Sequence, residues 1–100
     1  MRDVATVVQI MADAMAVVPN KRVRLDFGSD GHILLDGIEH RVSTEDGSAD
    51  TVVKVSFADF LAMADGTLNG TIAFMQGKLK VEGDMSAAMQ LQSVTAKIKS

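Results

Sequence analysis

The pattern of apolar positions changes period several times along the chain, and each change predicts an element boundary. Near the N-terminus, apolar residues recur at spacings of three and four, the period of one helix face. This face comprises Val4, Val7, Val8, Met11, Met15 and Val18. We therefore predict a first helix over residues 3 to 18, capped by Asp3 and terminated by Pro19.

Strict alternation then replaces the helical period and predicts strands. Apolar and charged residues alternate over residues 22–27, as expected of a strand with one buried face. Further short strands are predicted at 32–35 and 38–42, joined by a tight turn at Asp36-Gly37, a dipeptide that tolerates positive φ angles. These three strands form a predicted antiparallel meander.

The second half of the chain predicts a loop, two strands and three capped helical segments. Residues 43–50 are polar and acidic, as in an exposed loop, and a β-branched strand follows at 51–55. Three side chains can accept backbone hydrogen bonds at predicted helix starts: Ser56, Asn69 and Asp84. The first of these helices ends at Gly66, and a strand over 78–81 separates the last two segments.

This element order predicts an α+β fold in which helices pack on one face of a mainly antiparallel, five-stranded sheet. The chain has 100 residues, the size of one ordinary domain. It contains no internal repeat, low-complexity tract or linker. We therefore expect one domain spanning residues 1–100.

Composition removes several functional classes. The net charge of −3 gives no extended positive field, so nucleic acid is not expected as a partner. Zero cysteines exclude disulfides, thiolate metal ligands and a cysteine nucleophile. The apolar N-terminal stretch is interrupted by Asp3 and Asp13, which is atypical of a secretory signal or a membrane span. We expect a soluble, intracellular protein.

Residues suited to catalysis or metal binding are sparse. His32 and His40 fall in neighbouring predicted strands without a second ligand at a metal-like spacing, as surface or strand-edge histidines do. The glycines match neither phosphate-binding motif. A pairing of carboxylate and imidazole around Glu39 and His40 is the feature that would support an enzyme. No catalytic residue, metal or cofactor is therefore expected.

The apolar content leaves three interpretations open: an ordinary core, an oligomer interface, or a cavity for an apolar ligand. Apolar residue types make up 47% of the chain, and glycine adds 8 residues. The last predicted helix carries two apolar stripes, where one suffices to cover a sheet. One stripe comprises Met85, Ala88, Met89 and Ala96, and the other Ala87, Leu91, Val94 and Ile98.

Several motifs in the second half resemble the lipid-binding domain of the sterol carrier protein 2 family. They are Asp59-Phe60-Leu61, then AFMQGKLK from Ala73 to Lys80, Gly83-Asp84-Met85, and Ala88-Met89-Gln90-Leu91. The match covers about half of the chain closely. The resemblance implies helices and sheet that enclose a hydrophobic tunnel, without catalysis, for fatty acids, acyl chains or sterol-like molecules.

With this resemblance, the methionines and phenylalanines are interpreted as an adaptable lipid site. The expected lining comprises Phe57, Phe60, Leu61, Phe74, Met75, Leu79, Met85 and Met89, with Gln76 near the mouth. The expected partner is a lipid or another apolar small molecule, with transient membrane contact and a monomeric or homodimeric state. A homodimer with a vestigial cavity is the alternative function.

The C-terminal residues set the expected location. The chain ends in Lys97-Ile98-Lys99-Ser100, which departs from the Ser-Lys-Leu type of peroxisomal address found in animal relatives. We therefore expect a cytoplasmic, bacterial setting, in which sterol is a less natural ligand than a fatty acid.

Overall fold

A computed structural model describes residues 3–45, 47–87 and 89–90 of the chain. The elements, in chain order, are α1 (Val4–Asp13), β1 (Arg22–Asp26), a 3₁₀ turn (Gly28–Asp30), β2 (His32–Asp36), β3 (Arg41–Ser43), β4 (Thr51–Val55), α2 (Phe57–Asp65), α3 (Gly70–Met75) and β5 (Leu79–Gly83). Residues 85–87 and 89–90 are also helical and form the terminal helical segment. No helix within the described residues is long and apolar enough to cross a membrane.

The first helix begins as predicted but ends early. The Asp3 carboxylate accepts a hydrogen bond from the Thr6 amide at 2.8 Å, which confirms the N-cap. The prediction that the helix extends to residue 18 is wrong, because Met15 adopts a left-handed φ of 50° and closes a Schellman motif. In that motif the Ala16 amide donates to the Met11 carbonyl at 2.9 Å. Residues 16–18 remain buried outside the helix, so their apolar pattern continued past its end.

The sheet has the strand order β3-β2-β1-β4-β5 and is mixed. Strands β1, β2 and β3 form the predicted antiparallel meander, and β4 pairs with β5 antiparallel. The central pair, β1 and β4, is parallel, with Leu25 opposite Val53. Asp50 fixes the start of this pair, because its amide donates to the Arg22 carbonyl and its carboxylate accepts from the Arg22 amide, each at 2.9 Å.

The turn between β2 and β3 differs from the prediction. Strand β3 begins at Arg41, so the predicted strand at 38–42 is shorter and the turn occupies residues 37–40. The positive φ in this turn, 57°, belongs to His40 and not to Gly37.

Gly37 is required for a different reason, which is a close approach of two backbone segments. A β-carbon at Gly37 would collide with the carbonyl of Val18 and lie 2.8 Å from the carbonyl of Lys21. The Gly37 amide also donates to that Lys21 carbonyl at 2.8 Å. The segment after α1 therefore packs directly on the end of β2.

Asp36 organises the same corner as a buried carboxylate. Its oxygens accept hydrogen bonds from the amides of Ile38 and Glu39, each at 2.9 Å, and from Arg22 Nε at 3.1 Å. The Glu39 amide, the Arg22 side chain and the Ile38 amide hold the pKa of Asp36 below its ordinary value, against the opposing effect of burial. The ion pair thus satisfies a group that would otherwise be costly to bury.

The core lies between the helices and one face of the sheet. Inward-facing strand residues such as Leu25 and Ile33 pack with Val7 and Met11 of α1, Phe60 and Ala64 of α2, and Ala73 of α3. The opposite face carries charged side chains at alternating positions, including Arg24, Asp26, Lys54, Lys80 and Glu82. This one-sided arrangement follows from the period-two alternation of the strands.

The predicted caps of the second half are confirmed. Ser56 Oγ accepts from the Asp59 amide at 3.1 Å, Asn69 Oδ1 from the Thr71 amide at 2.8 Å, and Asp84 Oδ1 from the Ser86 amide at 2.9 Å. Gly66 ends α2 with a left-handed φ of 84°. These caps fix where α2, α3 and the terminal helical segment begin.

Candidate functional site

An aromatic cluster joins the end of β1 to the first turns of α2. The Phe27 ring lies 5.1 Å from the Phe57 ring and 5.2 Å from the Phe60 ring, centroid to centroid, with tilts of 60° and 50°. Such tilted pairs are a favourable aromatic geometry. Phe27 arrives on the inward-facing side of β1, and the Ser56 cap directs α2 so that Phe60 becomes buried.

Two open grooves meet this cluster. One, of about 410 Å³, is lined by Phe27 and Val55 together with Asp26, Gly28, Lys54, Ser56, Gly77, Lys78 and Lys80. The other, of about 420 Å³, is lined by Phe57, Val4 and Ala5 together with Asp3 and Asp30. Both grooves are open to solvent, and the enclosed tunnel implied by the resemblance stays a prediction.

The structure divides the predicted lipid-binding residues into an inner and an outer set. The inner set consists of Phe60 and Leu79, which are buried, and Phe57 and Leu61, which are half-buried against the core. The outer set is exposed: Phe74 (47%), Met75 (79%), Met85 (49%), Met89 (74%) and Gln76. The inner set thus lies together, and the outer set lies at the surface. The role of each residue in lipid binding stays a prediction.

The outer set is exposed because other residues of the same helices face the core. In α3 the inward residue is Ala73, and at 100° per residue Met75 lies about 160° away from it. Ile72 and Phe74 lie within about 100° of Met75, and both are roughly half exposed. In the terminal helical segment the inward residue is Ala87. The remaining members of its two predicted stripes, Ala88, Leu91, Val94, Ala96 and Ile98, lie outside the described residues, as do Lys97 and Lys99.

Charged groups flank the first groove. Lys54 forms an ion pair with Glu82 at 2.8 Å, and the hydrogen bond and charge of Glu82 raise the pKa of Lys54. At the opposite end of the sheet, Lys21 pairs with Asp84 at 2.9 Å, and this contact is the main cause of a lowered pKa at Asp84. Lys78 and Lys80 are exposed and form no ion pair within the described part of the chain.

The histidines occupy separate surroundings. His40 is exposed in the 37–40 turn and lines neither of the two grooves, whereas His32 Nε2 lies 3.3 Å from the Glu45 carbonyl. Within residues 3–45, 47–87 and 89–90, no group of three acidic, histidine or cysteine side chains is arranged to hold a metal ion.

Sequence reasoning missed two residues of this region. The sequence predicts Phe27 only as part of a strand with one buried face, whereas in the structure Phe27 completes the aromatic cluster. Phe27 lies at the end of the alternating stretch, one turn before the strand that begins at His32. That position gives no indication of contact with α2. Ile72 stands three residues before Met75, the spacing of neighbours on a helix surface, and that spacing would have identified it.

Comparisons with known proteins agree with this architecture. Hydroxysteroid dehydrogenase-like protein 2 of Danio rerio is 44% identical over 52 residues, which are 52% of this chain and 12% of that protein. Human sterol carrier protein 2 is 45% identical over 49 residues, 49% of this chain and 9% of that protein. The chain therefore matches only a small part of these relatives' length.

A solved structure extends the likeness beyond the matched half. The solution structure of palmitated SCP2L2 from Aedes aegypti has a TM-score of 0.67 at 27% identity, covering 95% of this chain and 96% of that one. The sequence profile of the SCP-2 sterol transfer family matches residues 7–96, nearly the whole chain. The chain belongs to the SCP-2 sterol transfer family.

Proposed function

We propose that this chain binds a lipid with a long apolar tail in a cavity between its inner and outer sets, and carries that lipid without reacting it. The observation that carries the proposal is a group of large apolar side chains, 47% to 79% exposed, in a member of this family: Ile72, Phe74, Met75, Met85 and Met89. Such a concentration of exposed apolar surface is typical of binding sites.

The first groove is proposed to connect the two sets, because Phe27, which contacts Phe57 and Phe60 of the inner set, lines it. Gly77 and Lys78, which follow α3 directly, line the same groove as Phe27. The aromatic cluster would form the inner wall of the site, and Phe74, Met75, Met85 and Met89 its outer wall. Methionine suits the outer wall because its unbranched thioether adapts to ligands of different shape.

The energetics of a purely apolar site are sufficient. Each methylene removed from water contributes about 0.8 kcal/mol, so a dozen contribute roughly 10 kcal/mol before the cost of immobilisation. A net value of about 8 kcal/mol corresponds to micromolar affinity. Apolar contacts discriminate one methylene only weakly, so we expect broad specificity for chain length.

The ligand class is proposed from the likeness to two proteins. The Aedes aegypti structure is palmitated, and the human relative is a sterol carrier protein. For this chain we favour a fatty acid or acyl chain, because a flexible tail can follow two open grooves more easily than a rigid ring system. Gln76, exposed at the end of α3, is proposed to hydrogen-bond the polar head.

Catalysis is not part of the proposal. The dehydrogenase-like name of the Danio rerio relative belongs to a protein of which the matched segment is 12%. The pairing that would have supported an enzyme is at the surface, because Glu39 and His40 are both exposed in a turn.

Native mass spectrometry of the freshly purified chain, followed by solvent extraction, tests the proposal directly. An added mass of one ligand per chain, which solvent extraction then releases as a lipid, would support the proposal and identify the ligand class. A chain that is empty and also fails to take up an added fluorescent fatty acid would contradict it.

Site variants then test the outer set. Phe74→Asp or Met85→Asp should abolish uptake of the fluorescent fatty acid while the circular dichroism spectrum is retained. Ile38→Asp is the matched control, because Ile38 is also 50% exposed but lies in the 37–40 turn. Unchanged affinity in a folded Phe74→Asp variant would remove Phe74 from the site.

A second candidate function is a structural or regulatory homodimer. Exposure of Met85 and Met89 on the terminal helical segment favours it, because an interface would cover both side chains. Light scattering over a range of concentrations distinguishes the two candidates. A concentration-independent monomer that binds lipid would contradict the dimer.

A further inference from the structure

The outer edge of β5 is a free sheet edge within the described part of the chain. β5 stands last in the strand order, and its only strand partner there is β4. Proteins usually protect such an edge with a proline, a bulge or a very short strand. β5 has five residues, no proline and an uninterrupted register with β4, whereas the other edge strand, β3, has three residues. β5 is therefore better suited than β3 to pair with another strand.

The hydrogen bonds between β4 and β5 determine which residues of β5 face outward. In an antiparallel pair, opposing residues alternate between those that exchange backbone hydrogen bonds and those that do not. The Asp84 amide donates to the Asp50 carbonyl at 3.1 Å, and these residues continue the β4–β5 register by one position. The even-numbered residues of β5 therefore bond to β4. The odd-numbered residues direct their amides and carbonyls toward the free edge: Leu79, Val81 and Gly83.

The charges along β5 reverse in sign about Val81. The sequence from Lys78 to Asp84 is KLKVEGD, so each lysine before Val81 is matched by an acid at the same distance after it. Lys80 and Glu82 are exposed on the sheet face away from the helices. A second β5 that pairs antiparallel about Val81 would place Lys80 of each copy beside Glu82 of the other, a favourable cross-strand pair.

This register satisfies the backbone and the charges together. Two copies of β5 can exchange hydrogen bonds when odd-numbered residues oppose odd-numbered residues. Moving the centre of the pair toward Leu79 would oppose lysine with lysine, and moving it toward Gly83 would oppose acid with acid. Like charges directly opposite each other are destabilising. Among the registers centred within β5, the one centred on Val81 is therefore favoured.

A second copy also supplies the charge that Lys80 lacks. Within the described residues Lys80 forms no ion pair, whereas Glu82 is paired with Lys54 at 2.8 Å. Lysine on an edge strand normally discourages pairing with another strand. Because the charge order of β5 reverses about its centre, this chain is its own complement.

We propose that two copies of this chain associate through β5, in a two-fold antiparallel pair centred on Val81 that joins their five-stranded sheets into one. The two Val81 residues exchange hydrogen bonds, and Leu79 of each copy pairs with Gly83 of the other. The two-fold axis is perpendicular to the sheet, so both copies keep their helices on the same face. This interface differs from the one that Met85 and Met89 would form, and it does not depend on lipid binding.

The dimer should be weak and reversible. Specific protein interfaces bury about 1,200 to 2,000 Å² in total, and a pair of five-residue strands is small on that scale. Association should therefore depend on concentration. It should also weaken in added salt, because Lys80 and Glu82 are exposed.

Sedimentation velocity of the full chain over a range of concentrations tests the interface. We expect a monomer–dimer equilibrium in the unmodified chain. Val81→Pro removes the central outward amide without removing a hydrogen bond to β4, a position where an edge strand tolerates proline. This variant should stay monomeric at concentrations where the unmodified chain dimerises, while its circular dichroism spectrum is retained.

Charge reversal gives a sharper test because it can be undone. Lys80→Glu and Glu82→Lys should each weaken self-association about tenfold, since each opposes like charges across the two-fold axis. An equal mixture of the two variants should associate again, because the acids of one then oppose the lysines of the other. Arg41→Glu is the matched control, which reverses an exposed cation on the other edge strand and should leave association unchanged.

Several outcomes would overturn the proposal. One is a chain that remains monomeric at its highest soluble concentration. Another is a dimer that both charge reversals leave intact, or that Met89→Asp dissociates while Val81→Pro does not, since the interface would then lie elsewhere. If Val81→Pro does not fold, the mixture of charge variants decides: renewed association supports pairing through β5, and its absence contradicts it.

Discussion

The inner and outer sets of the candidate site each contain phenylalanine, but the surroundings of the two sets differ. Phe60 is enclosed by the aromatic cluster and the sheet, whereas Phe74 is half exposed on a helix whose inward position is an alanine. Both are phenylalanines in short helices of the same half of the chain. The difference shows that position relative to the sheet, rather than residue type, decides whether an aromatic residue here stabilises the fold or remains available to a ligand.

Truncating the two phenylalanines should give the largest contrast. Phe60→Ala is expected to lower the free energy of unfolding by about 3 to 5 kcal/mol, because it removes a fully buried ring and leaves a cavity. Phe74→Ala should change it by less than about 1 kcal/mol, since that ring is half exposed. Urea unfolding at neutral pH measures both values. Similar losses in the two variants would eliminate the distinction between the sets.

Two glycines extend the contrast to the backbone. Gly37→Ala should cost about 3 kcal/mol, because the new β-carbon collides with the Val18 carbonyl inside the fold. Gly77→Ala has open space around its β-carbon and should cost only about 1 kcal/mol, for its left-handed φ. The shift in melting temperature compares the variants, and a Gly37→Ala protein as stable as Gly77→Ala would contradict the close approach.

Among the charged groups, Asp36 is the buried one in this comparison. Because its folded pKa is lowered, it contributes stability that is present above the unfolded pKa of about 3.9 and is lost as pH falls through the folded value. Asp36→Asn should lower the free energy of unfolding by about 2 kcal/mol at pH 7. Urea titrations from neutral to acidic pH should show this difference shrinking below about pH 4. A difference that is independent of pH would assign the loss to packing alone.

Lys54 is the exposed charged group in this comparison, and its substitution should have the smallest effect on stability. Its ion pair with Glu82 joins two side chains that are each about half exposed, so Lys54→Gln should lower the free energy of unfolding less than any of the changes above. The same measurement in high salt should remove most of this cost. A larger loss of stability that salt does not reduce would contradict this prediction. It would show that the exposed face of the sheet contributes more to stability than a surface ion pair does.

Features encoded by neighbouring residues could be predicted from the sequence. Ser56, Asn69 and Asp84 act as caps because each side chain bonds an amide two or three residues away. The meander was predictable because its alternation is local. The family was predictable from motifs that keep their order and spacing between Asp59 and Leu91.

Features decided by distant contacts could not be predicted. The apolar pattern could not show that α1 ends early, because residues 16–18 are also apolar and buried. They follow Met15, where the left-handed backbone ends the helix. The parallel pairing of β1 with β4 depends on the hydrogen bond between the Arg22 amide and the Asp50 carboxylate. The hydrophobic pattern of the sequence does not indicate that contact. The division into inner and outer sets was likewise hidden, because helical period places Phe74 on a face but does not say what that face meets.

The parallel central pair also bears on how the molecule folds. The β1–β3 meander closes through short loops, whereas joining β1 to β4 brings together residues 28 positions apart. Such non-local pairing carries a greater loop-closure entropy and is expected to limit the folding rate. Phe27 and Phe57 stand on opposite sides of that junction, so the aromatic cluster is complete only after the slow step. Under the proposed function, a fluorescent fatty acid added during refolding should therefore bind no faster than β1 and β4 join.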